Sequence, residues 1–335
     1  MITVLIKSFN RAFYLDRCLR SIFKFADNDL TINVLDDGTP EKYLNKIQAQ
    51  YPQVEILKSK NHKQKSKLIA EKKEINGFEI PTDLWKAAVK NSPEFVLVIE
   101  DDVWFTEKTD LNQLVSGMKS HNIDLVKLGW LGNYNDDRYL KINNLNFNLN
   151  ALVPQNLFTS NPFIMDLFMY NKFKFFTVLY KLGWVDNETK RKYWALNSIL
   201  MGLYRKDYWL YIWKDADGKV DEKQQLRNAA VWFHKRKKNE NLICRTKREV
   251  LKTTFQSAAT NSYHEYGFDF DVNEFNFLMN EAWLNDKFDV MQNFPKDFST
   301  EYFERFFDGK IKNEEFSKWV EKFKNQYRNL GADVE

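Results

Sequence analysis

The chain has 335 residues, of which 44% are hydrophobic and 16% aromatic, and its formal net charge is +4. This composition excludes a disordered chain, and the near balance of charge is not typical of a nucleic-acid-binding protein. The two cysteines lie too far apart in sequence to indicate a disulfide framework or a metal motif. No apolar run is long enough for a membrane span and no signal peptide is evident, so we expect a cytoplasmic protein.

The first 130 residues alternate between strand and helix patterns. Strands are predicted at residues 2–7, within 31–40, and at 54–59, 95–100 and 124–130. Helices are predicted between them, at 11–26, at 40–51, from about 81 to 92, and at 110–120. Strands that alternate with helices predict an α/β sheet with parallel connections.

The pattern changes after Trp130. Residues 133–153 predict loops and leave room for a hairpin, and the strongly aromatic 162–183 predicts a helix. A helix at 187–204, a strand at 208–214 and several helices between 272 and 329 complete the prediction. The aromatic residues after 158 fit either core packing or contact with the apolar faces of sugar rings.

Carboxylates follow two of the predicted strands directly. Asp36 and Asp37 end the second strand, and Glu100, Asp101 and Asp102 end the fourth. The carboxyl ends of parallel strands meet at one edge of a sheet, where ligands bind in open α/β folds. Like charges placed together need a cation among them, and Mg²⁺ typically binds one or two carboxylates plus substrate phosphates. The alternative is that the aspartates open a turn and cap the next helix.

Basic residues cluster at 58–73 and 234–238. Such clusters are either solvated or attract phosphate, on a ligand or at an anionic membrane surface. The sequence alone leaves both interpretations open.

Three motifs together resemble family-2 glycosyltransferases. These are the opening "ITVLIKSFNRAFYLDRCLRSI", "INVLDDGTP", and "LVIEDDV", which is similar to the D-x-D-type metal motif. The resemblance covers residues 1–130, and "EDDV" followed by "LVKLGW" also resembles lipopolysaccharide glycosyltransferases of the same GT-A fold. It implies a GT-A mixed sheet flanked by helices. The domain would span 1–265, with a nucleotide-sugar-binding half at 1–130 and an acceptor-binding half at 131–265, before a mainly helical extension at 266–335.

The resemblance implies an inverting glycosyltransferase that uses a nucleotide-diphosphate sugar (UDP-, GDP- or dTDP-linked) and Mn²⁺ or Mg²⁺. The acceptor would be a glycan or lipid-linked hydroxyl in the synthesis of bacterial surface polysaccharide or lipopolysaccharide. Residues implied to bind the donor are Ser8, Asn10, Arg11, Asp36, Asp37, Glu100 and Asp101, with Asp102 as the direct metal ligand. Glu100 and Lys7 depart from the usual pattern of the family.

The general base and a further metal ligand are implied to come from the second half. Asp186 and Glu188, just before a predicted helix, are the candidates for the base, with Asp136 and Asp137 as a further pair; capping is the alternative role. His234 is the candidate for a histidine metal ligand, and His264 is the alternative.

The sequence leaves the partners of the protein and two alternative functions open. The hydroxyl-rich segment 251–263 fits a mobile loop or an ordinary one, and residues 301–323 have an apolar face suited to a membrane surface or a homodimer. The rivals are a nucleotidyltransferase, which should carry a glycine-rich loop that residues 7–13 lack, and a non-catalytic basic protein that binds nucleic acid or membrane. We expect no nucleic-acid partner, because strand-end carboxylates repel phosphates.

Overall fold

The computed structural model describes residues 2–26, 29–198, 202–260 and 264–334. The described strands are β1 (Ile2–Ser8), β2 (Leu30–Asp36), β3 (Glu55–Lys58), β4 (Phe95–Glu100), β5 (Val103–Phe105), β6 (Leu125–Lys127), β7 (Leu140–Asn144), β8 (Leu149–Pro154), β9 (Gly202–Arg205), β10 (Ile243–Thr246) and β11 (Leu251–Thr253). The helices before the aromatic segment are α1 (Ala12–Phe25), α2 (Glu41–Gln50), α3 (His62–Ala70), α4 (Thr82–Asn91) and α5 (Leu111–His121).

The later helices belong to the second half of the chain and its C-terminal part. They are α6 (Pro162–Met169), α7 (Phe175–Lys181), α8 (Asn187–Arg191), α9 (Lys206–Trp213), α10 (Glu222–Arg236), α11 (Val272–Leu284), α12 (Thr300–Glu304) and α13 (Asn313–Arg328). Short 3-10 helices lie at Asn135–Tyr139, Lys172–Lys174 and Lys192–Leu196. None of the described helices is both long and apolar enough to cross a bilayer.

Nine strands form one mixed sheet in the order β3-β2-β1-β4-β9-β6-β10-β8-β7. The strands β3, β2, β1 and β4 are parallel, whereas β9 runs antiparallel between β4 and β6. The hairpin β7–β8 closes the far edge, and β5 pairs with β11 in a separate small sheet. The predicted mixed sheet flanked by helices is confirmed.

The apolar strands are continuous because both faces of the sheet are covered. Val4 and Ile6 of β1 face one hydrophobic core, and the alternate residue Leu5 faces the other. The same alternation places Leu97 and Val98 of β4 on opposite faces. A strand buried on both faces has no polar side, which explains runs such as "FVLVI".

The C-terminal helices share the core of α1. The ring of Phe13 lies 6.4 Å from that of Phe275, 5.4 Å from Phe288 and 6.3 Å from Phe303. The apolar residues of α13, among them Phe316, are buried in the same cluster. The apolar face of 301–323 is therefore occupied by the protein itself, and the proposed division after residue 265 stays a prediction.

Two predicted elements are wrong. Residues 208–214, predicted as a strand, belong to helix α9, where Tyr208, Trp209, Ile212 and Trp213 are buried at helical spacing. The predicted helix 187–204 stops at the 3-10 turn that ends at Leu196, and β9 follows from Gly202. A short apolar run does not distinguish a buried strand from a buried helix, and the pairing of β9 with β4 and β6 places a strand where the helix was expected to continue.

Arg17 of α1 fixes the C-terminal segment through its backbone. Its fully buried guanidinium donates to the carbonyls of Val290 (3.0 Å), Gln292 (3.1 Å) and Lys296. It also lies 4.5 Å from the centre of the Trp104 ring.

We predict that Arg17→Ala lowers the free energy of unfolding by about 3 kcal/mol or more, because a fully buried guanidinium and its three hydrogen bonds to backbone carbonyls are lost. Urea denaturation measures this. Lys24→Ala is the matched control: Lys24 lies on the same helix, is exposed, and contacts aromatic rings only at 5.1 Å and 5.8 Å, so its loss should cost about 1 kcal/mol or less. Equal losses for both variants would contradict the role of Arg17.

Candidate functional site

A cavity of about 270 Å³ opens at the carboxyl ends of β1, β2 and β4. The strand register places these ends side by side, with Ser8 opposite Asp36 and Lys7 opposite Glu100. The segment 76–81, the residues 253–260 after β11, and helix α13 complete its wall. The edge predicted from the sequence is thus the place where the fold forms a cavity.

The acidic triplet after β4 divides between the cavity and the interior. Glu100 and Asp102 line the cavity, whereas Asp101 is fully buried and does not line it. Asp101 accepts a hydrogen bond from the backbone N–H of Phe9 at 2.9 Å. The strand end and the turn after it therefore present an acid-x-acid pair, Glu100 and Asp102, to the cavity.

Arg11, at the N-terminus of α1, joins the two aspartates. Its guanidinium donates to Asp102 Oδ2 at 2.6 Å and to Asp101 Oδ1 at 2.5 Å, and all three side chains are buried. Asn10 precedes it with a φ of 54°, a left-handed conformation that asparagine tolerates better than most residues. Asn280 of α11 donates to the Asn10 carbonyl at 3.0 Å. The turn before α1 is therefore held from the C-terminal part of the chain.

Burial raises the pKa of Asp101 and Asp102 above the usual range for aspartate, and the positive charge of Arg11 offsets part of this effect. Burial alone would lower the pKa of Arg11, but the three neighbouring carboxylates raise it overall. A guanidinium is therefore the permanent cation that allows two adjacent carboxylates to be buried.

Asp36 and Asp37, at the end of β2, also differ in whether they reach the cavity. Asp36 is fully buried and accepts hydrogen bonds from the N–H groups of Gly38 (3.0 Å) and Thr39 (2.8 Å). It shapes the turn after β2 and does not line the cavity. Asp37 does line it, and accepts hydrogen bonds from Ser59 at 2.6 Å and from Lys65 at 2.5 Å.

Three cations line the cavity, each beside an acid. Besides Arg11 these are Lys65, paired with Asp37, and Lys7, whose Nζ lies 3.4 Å from Glu100. Lys7 also sits 4.6 Å from the centre of the Trp85 ring. Pairing lowers the cost of burying these charges, while the cationic groups remain next to the space that an anionic ligand would fill.

His264 and α13 form the wall opposite the strand ends. His264, Phe323 and Tyr327 line the cavity, and the rings of His264 and Phe323 are 4.3 Å apart. Burial, with a smaller contribution from Arg11, lowers the pKa of His264 to about 4. Its imidazole is therefore neutral at pH 7.

The other predicted site residues lie elsewhere. Asp186 is the N-cap of α8 and accepts hydrogen bonds from the Thr189 N–H at 2.7 Å and hydroxyl at 2.6 Å. Glu188 contacts Arg138 at 3.1 Å. His234 lies on α10, and its Nδ1 is 3.0 Å from Ser160 Oγ.

None of Asp186, Glu188 and His234 lines the cavity. The same holds for Asp136 and Asp137, which pair with Arg191 (3.2 Å) and Arg245 (2.8 Å). Their predicted catalytic or metal-binding roles stay untested.

Several cavity residues carry no sequence signal of their own. Lys65 is one lysine in a lysine-rich stretch, and Trp85, Phe323 and Tyr327 lie on helices where aromatic residues usually pack in a core. Thr254 and Ser257 belong to the hydroxyl-rich segment 251–263, of which residues 253–255 and 257–260 line the cavity. Only the tertiary structure distinguishes these residues from their neighbours.

The cavity fits a divalent cation that is shared with a ligand. Asp102 Oδ1 accepts no hydrogen bond from the described residues, and Glu100 lies beside it. No group of three His, Cys, Asp or Glu side chains in the described ranges could hold an ion by itself. Mg²⁺ usually binds few protein carboxylates and completes its shell with substrate phosphates and water, so this donor set suits an ion that arrives with a phosphate ligand.

No family model and no curated protein sequence matches the chain. Solved structures that it is similar to include TarS residues 1–349 from S. aureus, with 15% identity, a TM-score of 0.41, and coverage of 95% of this chain and 77% of that chain. The mannosyltransferase PcManGT from Pyrobaculum calidifontis, solved with GDP-Man and Mn²⁺, is 10% identical with a TM-score of 0.38 and coverage of 98% and 75%.

GT-A-type glycosyltransferases are thus among the structures that the chain is similar to. A 4-diphosphocytidyl-2C-methyl-D-erythritol synthase from Anaerococcus prevotii is another, with 9% identity, a TM-score of 0.36 and coverage of 76% and 90%. These TM-scores lie below 0.5, so the function of this protein is inferred from the geometry of its cavity alone.

We predict that the free energy of unfolding falls in acid because the buried, neutral His264 resists protonation. Its pKa is near 6.5 unfolded and about 4 folded, so the stability it confers is present above pH 6.5 and is lost as the pH falls toward 4. The free energy of unfolding should drop by about 2 kcal/mol more between pH 7 and pH 4.5 in the native protein than in His264→Gln. Urea denaturation at the two pH values measures this, and parallel curves for the two proteins would contradict it.

We predict that Asp186→Asn keeps turnover within about threefold and costs about 0.5 kcal/mol of stability or less, because asparagine caps a helix about as well as aspartate does. Glu188→Gln should likewise keep turnover. Steady-state kinetics with donor binding measured in parallel tests both. Lost turnover with donor binding retained would instead identify the general base predicted from the sequence.

Proposed function

We propose that the protein transfers a glycosyl group from a nucleoside-diphosphate sugar to an acceptor hydroxyl, with assistance from Mn²⁺ or Mg²⁺. The observation that carries the proposal is the meeting of Glu100, Asp102 and Asp37 with Lys7, Arg11 and Lys65 around one cavity at the carboxyl edge of the sheet. Negatively and positively charged side chains lie together around this cavity, which suits a ligand that carries phosphates and arrives with a bound cation.

The polar side chains divide into two groups along the cavity. Asp37 follows β2 and Lys65 lies on α3, with the ring of Phe9 5.7 Å from Lys65 Nζ, and this end would bind the nucleoside. Lys7, Glu100 and Asp102 lie at the ends of β1 and β4 and would bind the diphosphate. A flat ring beside hydrogen-bonding groups is the usual surface for a base.

A cation held by Asp102 with Glu100 would neutralise charge that develops on the leaving diphosphate. Lys7 and Arg11 add fixed positive charge at the same end, and Arg11 keeps Asp102 oriented through its own hydrogen bond. His264, neutral at pH 7, is available as a further neutral ligand or proton acceptor. Phe323 and Tyr327 of α13 would exclude water from the reacting centre.

Inversion at the anomeric carbon, implied by the resemblance to family-2 enzymes, requires a base on the acceptor side. The variants of Asp186 and Glu188 test whether the N-terminal end of α8 supplies this base. A glycan or lipid-linked acceptor, and a role in bacterial surface polysaccharide or lipopolysaccharide synthesis at the cytoplasmic face, belong to the same proposal.

We predict that one class of nucleotide sugar among UDP-, GDP- and dTDP-linked donors binds the full chain in Mn²⁺ or Mg²⁺ and loses most of its affinity in EDTA. Calorimetric titration and measurement of nucleotide release test this. No metal-dependent binding of any nucleotide sugar would overturn the proposal. Release of pyrophosphate from a nucleoside triphosphate and a sugar phosphate would favour a nucleotidyltransferase instead.

We predict that Asp102→Asn weakens metal-dependent donor binding by at least about tenfold, because an amide is a poorer ligand for a hard cation. Glu107→Gln is the control, since Glu107 is half exposed and contacts Arg248 only at 4.0 Å; it should bind as the native protein does. Native-like donor affinity in Asp102→Asn would remove Asp102 from the cation site.

A further inference from the structure

Exposed large hydrophobic side chains are concentrated in one short segment. Seven of the fourteen exposed large hydrophobic residues in the described ranges fall between residues 163 and 184. They are Phe163, Tyr170, Phe173, Val178, Tyr180, Leu182 and Trp184. Scattered apolar residues are normal on a protein surface, but a contiguous set marks an interaction site. We call residues 162–184, which contain α6, α7 and the turns after them, the aromatic hairpin.

The aromatic hairpin is anchored from its inner side. Met165, Phe168 and Leu179 are buried in the core cluster on one face of the sheet. Asp166 accepts a hydrogen bond from Arg227 of α10 at 2.7 Å, and Lys190 donates to the Met169 carbonyl at 3.2 Å. The exposed side chains therefore project from a fixed support.

The exposed rings are large and unprotected. Phe173 is 92% exposed, Phe163 76% and Trp184 70%. Phe173 also has a φ of 53°, a left-handed conformation that is costly for a bulky residue. While Phe173 stays in water, no burial of its ring offsets the conformational free energy that this backbone geometry costs.

The one acid of the aromatic hairpin, Asp166, is paired with Arg227, and the rest of its charge is positive. Residues 167–185 contain Lys172, Lys174 and Lys181 and no aspartate or glutamate. All three lysines are exposed, and none forms an ion pair with another residue of the described chain. Positive charges beside an apolar surface are complementary to an anionic surface with an apolar layer beneath it.

We propose that the aromatic hairpin binds the surface of an anionic lipid bilayer. Trp and Tyr favour the headgroup level of a membrane, Phe and Leu insert below it, and lysine stems extend past apolar atoms to reach lipid phosphates. No described helix is suited to cross the bilayer, so contact is at the surface. The apolar face of α13 is buried in the core and does not provide this contact.

This binding would hold the cavity near the membrane. Arg227, which pairs with the aromatic hairpin, lies on α10, and α10 begins two residues after the cavity residue Val220. The inference does not depend on the proposed function, because its test requires no turnover.

The test is cosedimentation of the full chain with vesicles of phosphatidylcholine alone or mixed with phosphatidylglycerol. We expect binding to the anionic vesicles that weakens with salt. The triple variant Lys172→Gln, Lys174→Gln and Lys181→Gln should bind on the order of a hundredfold more weakly, at about fivefold per lysine. The matched control replaces Lys63, Lys67 and Lys73 of the lysine-rich stretch by glutamine and should stay within about threefold of the native protein.

A second pair of variants tests the apolar contribution. Phe173→Ser with Trp184→Ser should bind at least about tenfold more weakly, whereas Phe147→Ser, at a ring that is 89% exposed in the β7–β8 turn, should bind as the native protein does. Circular dichroism checks that each variant remains folded.

Three results would overturn the inference. One is absence of binding to anionic vesicles, and another is equal binding by the hairpin variants and the native protein. The third is a concentration-dependent dimer that is lost in the Phe173 and Trp184 variant without vesicle binding, which would assign the surface to a second copy of the chain.

Discussion

The buried contact of Arg11 with Asp101 and Asp102 is the interaction on which the candidate site depends. Two adjacent carboxylates at the end of a central strand would repel one another strongly in the interior, and removing the partner of a buried charge typically costs about 3–5 kcal/mol. The guanidinium satisfies one oxygen of each aspartate. Because the second oxygen of Asp102 is left without a protein donor among the described residues, the contact that stabilises the site also leaves it able to bind a ligand.

The fold positions this contact from several directions. Asp101 is fixed by the N–H of Phe9, and the turn that carries Arg11 is held by Asn280 of α11. Helix α13 then covers the cavity with Phe323 and Tyr327. The C-terminal helices, which look like an appendage in the sequence, therefore support the carboxyl edge of the sheet and form one wall of its cavity.

Local patterns predicted the elements well wherever a segment has one polar side or a clear end. The alternating strands and helices before residue 130 and the acids after β2 and β4 belong to this class. The pattern failed at Tyr208–Trp213, where apolar residues surround the helix, and at β9, which is placed by its pairing with β4 and β6. Asp186 and Glu188 are candidates for the base because of their position at the start of a predicted helix. The structure places neither at the cavity, and the contacts of Asp186 are those of a helix cap.

The sequence by itself determined that this is an α/β protein with carboxylates at the ligand-binding edge of its sheet, because strand burial and strand ends are local properties. The tertiary structure alone decided which acids face the cavity: Asp37, Glu100 and Asp102 do, while Asp36 and Asp101 point inward. It also decided that His264 and not His234 lines the cavity, and that the aromatic hairpin keeps an exposed face. These outcomes depend on contacts between residues distant in sequence, which no local pattern encodes.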